Sequence, residues 1–183
     1  MSNREYLSCS ETAKLIRAAL KESFPGVKFS VRSSVYSGGA SINIRYTDGP
    51  TYEQVKAVAG MFEGAYFDGM TDYKGLNYGS LDGNEVRFGA DFIFVNRDFS
   101  LGFLESNVKA ACEYYGYAMP AITSSVYSGA YIADRLDYEV NRRIMAKVSE
   151  ISLVATSESA TLARVGFLGD DGYGYGAVGR LAA

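Results

Sequence analysis

The sequence predicts an α+β fold in which antiparallel hairpins are packed by helices, organised as pseudo-duplicated αββα units. Three observations carry this expectation. Apolar residues recur at helical spacing in the segments that begin near Ser8, Thr51, Leu101 and Asp137. Side chains alternate between apolar and polar over residues 27–47, the period of a strand with one buried face. The hexapeptide Ser33-Ser34-Val35-Tyr36-Ser37-Gly38 returns unchanged as Ser124-Ser125-Val126-Tyr127-Ser128-Gly129. Each copy follows a helix-like segment and precedes a strand-like segment and another helix, which suggests two copies of one small unit.

The first helix opens at Ser8-Cys9-Ser10-Glu11, where Ser and Glu stand at capping-box spacing. Leu15, Ile16, Ala19 and Leu20 form its apolar stripe, and Phe24-Pro25-Gly26 ends it. Val27, Phe29 and Val31 then point one way, and Lys28, Ser30 and Arg32 the other. Tyr36-Ser37-Gly38-Gly39 makes the turn. The return strand sets Ala40, Ile42, Ile44 and Tyr46 against Ser41, Asn43, Arg45 and Thr47. Pro50 suits a helix start, and Thr51 with Gln54 repeats the capping-box spacing. Val55, Val58, Ala59 and Phe62 form that helix's buried stripe.

Residues 64–84 are rich in Gly, Tyr and Asp without a sustained period, and read as a long ordered loop with at most a short strand. The run Phe92-Ile93-Phe94-Val95 reads as a central strand covered on both faces. The second unit begins with a helix over 101–115, which carries Leu104, Val108, Ala111, Cys112 and Tyr115 on one face and ends at Gly116. A weaker hairpin is expected from Ala121–Val126 and Ala130–Arg135. Asp137 caps a last helix with Val140, Ile144, Val148 and Ile151 inward. Glycines at 166, 169, 172, 174, 176 and 179 disfavour regular structure in the tail unless a neighbouring strand or partner holds it. The expected organisation is one globular domain over 1–165, with sub-units at about 8–66 and 99–153, followed by a Gly-rich tail over 166–183.

Composition narrows the chemistry. The chain of 183 residues contains no His, which removes imidazole acid–base catalysis and Ser-His or Cys-His nucleophile pairs. Its two cysteines cannot build an all-thiolate tetrahedral zinc site within one chain. Cys9 and Cys112 therefore read as free thiols in a reducing cytoplasm. A net charge of −3 argues against a general polyanion binder but leaves room for a local basic face. The polar N-terminus has no apolar segment behind it, and no run is long enough to span a membrane, so a soluble intracellular protein is expected.

The binding candidates lie on the first hairpin. Lys28, Ser30, Arg32, Asn43 and Arg45 share its polar face, which suits phosphates, RNA backbones or acidic protein surfaces. Tyr36 and its repeat counterpart Tyr127 are candidate aromatic anchors. The same alternation also describes the solvated face of any half-exposed hairpin. Asp68, Asp72, Asp82, Glu85 and Asp91, with Asp170 and Asp171, could hold a hard cation, but EF-hand spacing is missing. No catalytic residue, metal or cofactor is expected. The exposed hairpin edge invites a homodimer.

One stretch resembles a known family. It runs through Ala13-Lys14-Leu15-Ile16-Arg17, Phe24-Pro25-Gly26-Val27-Lys28-Phe29-Ser30-Val31-Arg32-Ser33-Ser34, Tyr36-Ser37, Asp48-Gly49-Pro50-Thr51 and Phe67-Asp68-Gly69-Met70. Over roughly residues 10–70 this resembles the large polyvalent protein-associated domain 29 found in proteins of phages and conjugative elements. The resemblance implies a mobile-element origin and a counter-defence or invasion-support role. It transfers no catalytic motif. A small free-standing version fits an inhibitor of anti-CRISPR or anti-restriction type, with a bacterial defence protein or nucleoprotein complex as partner. Two alternatives stay open: a nucleic-acid-binding module that protects incoming DNA or RNA, and an enzyme that modifies a host factor with acidic residues of the 64–91 region.

Overall fold

The computed structural model describes residues 5–122, 126–127, 131–134 and 136–173. In chain order the elements are β1 (Glu5–Leu7), α1 (Cys9–Ser23), β2 (Ser30–Tyr36), β3 (Gly39–Thr47), α2 (Tyr52–Gly60), β4 (Ala65–Asp68), β5 (Tyr73–Leu81), β6 (Asn84–Phe88), β7 (Phe92–Phe99), α3 (Leu101–Tyr115), β8 (Val126–Tyr127), α4 (Tyr138–Ser149), α5 (Ala160–Ala163) and β9 (Val165–Asp170). This is an α+β fold built on two sheets. One sheet has the order β2-β3-β7-β8; the other has the order β1-β6-β5-β4, with β9 also paired to β5.

Local chemistry accounts for the helix starts. Ser8 accepts from the Glu11 N–H while the Glu11 carboxylate accepts from the Ser8 N–H, and Thr51 and Gln54 repeat this exchange at α2. Each such cap is worth about 1 kcal/mol. Asp137 accepts from the N–H groups of Glu139 and Val140 at α4. Gly116 ends α3 in the left-handed region at φ 71°, where its lack of a Cβ removes the penalty.

The first sheet is half hairpin and half crossover. β2 and β3 pair antiparallel around the two-residue turn Ser37-Gly38. β7 then lies parallel to β3, with Ile42 opposite Ile93 and Ile44 opposite Val95. Helix α1 packs beneath β2 and β3, and α2 beneath β7. Ile16, Leu20, Phe24, Ile42, Ile44, Val55 and Phe62 fill the layer between and have no exposed surface. Each such side chain contributes about 1.5–3 kcal/mol by leaving water. A second apolar cluster joins Phe99 to Leu104 and Val108 of α3 and to Ile144 and Val148 of α4.

Polar side chains close the sheet where strands do not. On the β2 side, Arg17 donates to the Val31 carbonyl at 2.7 Å. On the β7 side, the Ile93 N–H donates to Glu63 at 3.0 Å and the Ile93 carbonyl accepts from Lys56 at 3.4 Å. Such caps occupy backbone groups that would otherwise template pairing with another chain.

Several expectations need correction. Residues 64–84 are mostly strand rather than loop. Their glycines are packing positions: the Tyr66 ring covers Gly75, and a Cβ at Gly79 would lie 2.7 Å from the Phe88 ring. The Asp82-Gly83 pair turns the β5–β6 hairpin with both residues at positive φ, the signature of a two-residue hairpin loop. The Phe92–Val95 strand lies inside the strand order, but β8 pairs it only at Asp98 and Phe99, and it is not covered on both faces, because Phe94 is 51% exposed. The boundary drawn at 165/166 falls inside β9, where β5 holds the first part of the Gly-rich segment. Asp171 secures the end of that segment by accepting from Tyr66 Oη, Tyr73 Oη and the Leu76 N–H at 2.7, 2.9 and 2.8 Å.

The pseudo-duplication is not confirmed. Of the second hexapeptide only Val126 and Tyr127 are described, and they form β8, paired antiparallel to β7 at Phe99 and Asp98. The described residues of 130–135 form no return strand. The rest of that hairpin lies outside the described residues.

Candidate functional site

The upper face of the first sheet is the open one. Register places Arg32, Asn43 and Phe94 in one row across β2, β3 and β7. Ser30, Arg45 and Asn96 form the next row, and Ser34, Ser41 and Phe92 the row on the other side. Partners in register share a face, and neighbouring strands stand about 4.8 Å apart. Arg32, Asn43, Arg45 and Phe94 are exposed, while the alternate residues Val31, Ile42, Ile44 and Ile93 are buried.

Two concavities adjoin here, one on the face and a second that runs from its margin toward Tyr46, Leu153 and Val154. One, of about 480 Å³, is lined by Ser30, Arg32, Ser33, Ser34, Asn43, Arg45 and Asn96. The other, of about 840 Å³, includes Lys28, Phe29, Ser30, Arg45, Asp98 and Val154. Ser30 and Arg45 belong to both, so a single track carries Lys28, Arg45 and Arg32. Lys28 precedes β2, and its exposure follows from the alternation that buries Val31. Arg45 stands 3.7 Å from Asp98, a loose pair whose arginine side chain stays 70% exposed. In that setting the attraction is worth well under about 1 kcal/mol, leaving the guanidinium available to a stronger anion.

The structure therefore brings Lys28, Arg32, Asn43 and Arg45 together. Tyr36 is placed apart: it lies at the hairpin tip with its ring over Gly39, beside a separate concavity that includes Lys74, Arg87 and Asp91. The side chain of Tyr127 lies outside the described residues. Phe94 and Asn96 share the face but are not among the binding candidates that the sequence offers, because four consecutive apolar residues read as a strand covered on both sides. The parity of the strand held a signal. Phe92, Phe94, Asn96 and Asp98 alternate with Ile93, Val95, Arg97 and Phe99, so one face already ended in polar residues.

The carboxylates of the 64–91 region disperse. Asp91 binds Lys74 at 2.7 Å and the Ala40 N–H at 3.0 Å. Asp82 makes paired hydrogen bonds to Arg164, which hold its carboxyl below the usual range. Asp68 accepts from the Met70 N–H, two residues on. Among the described residues no group of three or more Cys, Asp or Glu side chains could hold a metal ion. Cys9 and Cys112 are free and buried, and burial pushes both thiols above their ordinary value. Among the described residues no helix is long and apolar enough to cross a membrane.

Comparison with known proteins adds one finding. The family model described as large polyvalent protein associated domain 29 matches residues 7–100, just over half of the chain. The match is wider than the resemblance over 10–70 and takes in every row of the open face, stopping before α3. No curated protein and no solved structure gives a significant match. The chain belongs to the large polyvalent protein associated domain 29 family.

Proposed function

We propose that this chain is a phage or mobile-element counter-defence protein that works by binding, without catalysis, inside a bacterial host cell. Its target in this reading is a defence nucleoprotein complex of the anti-CRISPR or anti-restriction kind. The observation that carries the reading is the open face and its margin, where Lys28, Arg45 and Arg32 line two adjoining concavities. Cations on such a face meet the phosphates or acidic surfaces of a nucleoprotein and speed encounter with it. Membership in a family associated with large polyvalent proteins supports the mobile-element context. A chain without His has a short list of acid–base groups near neutral pH, which favours binding over catalysis.

The test is capture of the tagged chain's partners from a defence-bearing host, with protection of phage plaquing as the functional readout. The wild type should retain a defence complex and restore plaquing. Lys28→Ala, Arg32→Ala and Arg45→Ala combined should lose both while the protein stays folded. Undiminished protection by the triple variant would remove this face from the account.

A further inference from the structure

We infer that the open sheet face takes a single-stranded nucleic acid, with a base stacked on Phe94 and flanking phosphates on Arg32 and Arg45. This rests on the reading of that face as the binding surface. It goes further by committing to the strand of nucleic acid as the group that is touched.

Phe94 carries the argument. It is 51% exposed on the upper face of β7, although a Phe is usually buried. Its row neighbours are Asn43 and Arg32, and along β7 its face continues to Asn96 on one side and to Phe92 on the other. Amides and a guanidinium border this ring, and its apolar neighbour along the strand, Phe92, has a Lys over it, whereas a protein-docking hot spot clusters with other apolar side chains. It matches a stacking platform, where an aromatic ring takes a base and surrounding donors take its edges and the backbone. Asn side chains offer both donor and acceptor to a base edge. Arg32 stands two strand spacings from Phe94, about 10 Å, a distance at which its guanidinium meets a phosphate flanking a base on the ring.

Phe92 sharpens the choice. It shares the face but has Lys74 Nζ 5.7 Å from its ring centroid, so a cation already stands over it. Phe94 is the ring left open. A duplex keeps its base faces stacked internally, so an unpaired strand is the form that presents a base face to the ring. Asp98 bounds the track: its carboxylate repels a backbone and competes for Arg45.

Fluorescence anisotropy of the full chain with labelled oligothymidine and oligouridine of about 12 nucleotides, against a duplex of equal length, tests this. Both single strands should bind at least about tenfold more tightly than the duplex. Phe94→Ala should weaken single-strand binding about tenfold and Phe94→Tyr should preserve it. Two phosphate contacts predict about a sevenfold loss between 50 and 200 mM salt, and Arg32→Ala with Arg45→Ala should flatten that dependence. Asp98→Asn should tighten binding. Circular dichroism of each variant separates lost binding from lost fold.

A strand that binds equally well without the Phe94 ring, or no detectable binding at low salt, overturns the inference. If the wild type captures a defence complex and the triple cation variant does not, yet no oligonucleotide binds, the face docks protein; the functional reading then stands and this inference fails. Oligonucleotide binding with no capture and no protection means the opposite: the inference stands and the functional reading fails.

Discussion

Arg97 and Arg45 sit on adjacent strands of one sheet and have opposite fates. Arg45 points up, is exposed, and has Asp98 at 3.7 Å as its nearest counter-ion. Arg97 points down, is 2% exposed, and is held by backbone carbonyls, with the Asp48 carboxylate acting only at a distance. Its guanidinium donates to the carbonyls of Asp48, Gly49, Ser149 and Ile151 at 2.9, 3.4, 3.0 and 2.7 Å. It also lies 4.9 and 5.3 Å from the ring centroids of Phe99 and Phe103. Burial pulls its pKa below the ordinary value, opposed by Tyr46 and Asp48. One arginine ties the β3–α2 loop and the end of α4 to the sheet; the other is left for a ligand. A cation's role here follows from which side of the pleat it occupies, because that side decides whether carbonyls or water surround it.

The largest break in this comparison comes from truncating the buried member. Arg97→Ala removes the guanidinium donors to the Asp48, Ser149 and Ile151 carbonyls, while Gly49 keeps the Leu153 N–H, and should cost about 3–5 kcal/mol in urea denaturation. Arg97→Lys should recover little of this, since an ammonium cannot serve acceptors arranged around a planar fork. An Arg97→Ala protein as stable as the Arg45→Ala one would dissolve the distinction.

Acid gives a second, smaller separation. The Arg97 tie runs through backbone carbonyls rather than an ion pair and should respond little to moderate acid. Elsewhere Glu22 accepts from Ser159 Oγ, the Thr161 N–H and Thr161 Oγ1 at 2.7, 2.8 and 2.9 Å, and these bonds lower its pKa from an ordinary 4.5. Burial alone would raise the Asp171 carboxyl from 3.8, but hydrogen bonds from Tyr66, Leu76 and Tyr73 bring it below that value. A carboxylate lowered on folding stabilises above its unfolded pKa, and that contribution is lost as pH falls through the folded one. Stability should therefore fall as pH drops below about 4.5. The Glu22→Gln, Asp171→Asn protein should start less stable at pH 7 and show a flatter decline. Parallel pH curves for the two proteins would place the acid-labile groups elsewhere.

The smallest expected effect is on the open face. Arg32→Ala and Arg45→Ala should each change stability by less than about 0.5 kcal/mol, because exposed cations away from caps and cores contribute little. Thermal melts check this. A large loss would mean that the face supports the fold and is not free for a partner.

Much of the hairpin half is legible in the sequence. The alternation of Val31, Ile42, Ile44 and Tyr46 against Arg32, Asn43 and Arg45 is a local period, and it sets the face of each correctly. The capping boxes at Ser8 and Thr51 need only a few residues of chain, so the sequence discloses them. The 64–84 region is not legible in the same way because glycine has two meanings. Gly75 and Gly79 look like loop residues until the rings of Tyr66 and Phe88 are seen lying over them. The Asp82-Gly83 pair is the available sign of a hairpin.

Sequence by itself determined which residues of the first hairpin's two strands look inward, where the first two helices begin, and that three cations of that hairpin lie along its polar side. Periodicity and capping are short-range, so neighbours in the chain suffice to dictate them. Only tertiary structure decided that β7 lies parallel to β3, setting Phe94 beside Asn43, sealing Arg97 under four carbonyls and drawing the glycine-rich segment onto β5. Those outcomes depend on pairing between strands some fifty or more residues apart, where register is chosen by the whole core at once and leaves no local period to read.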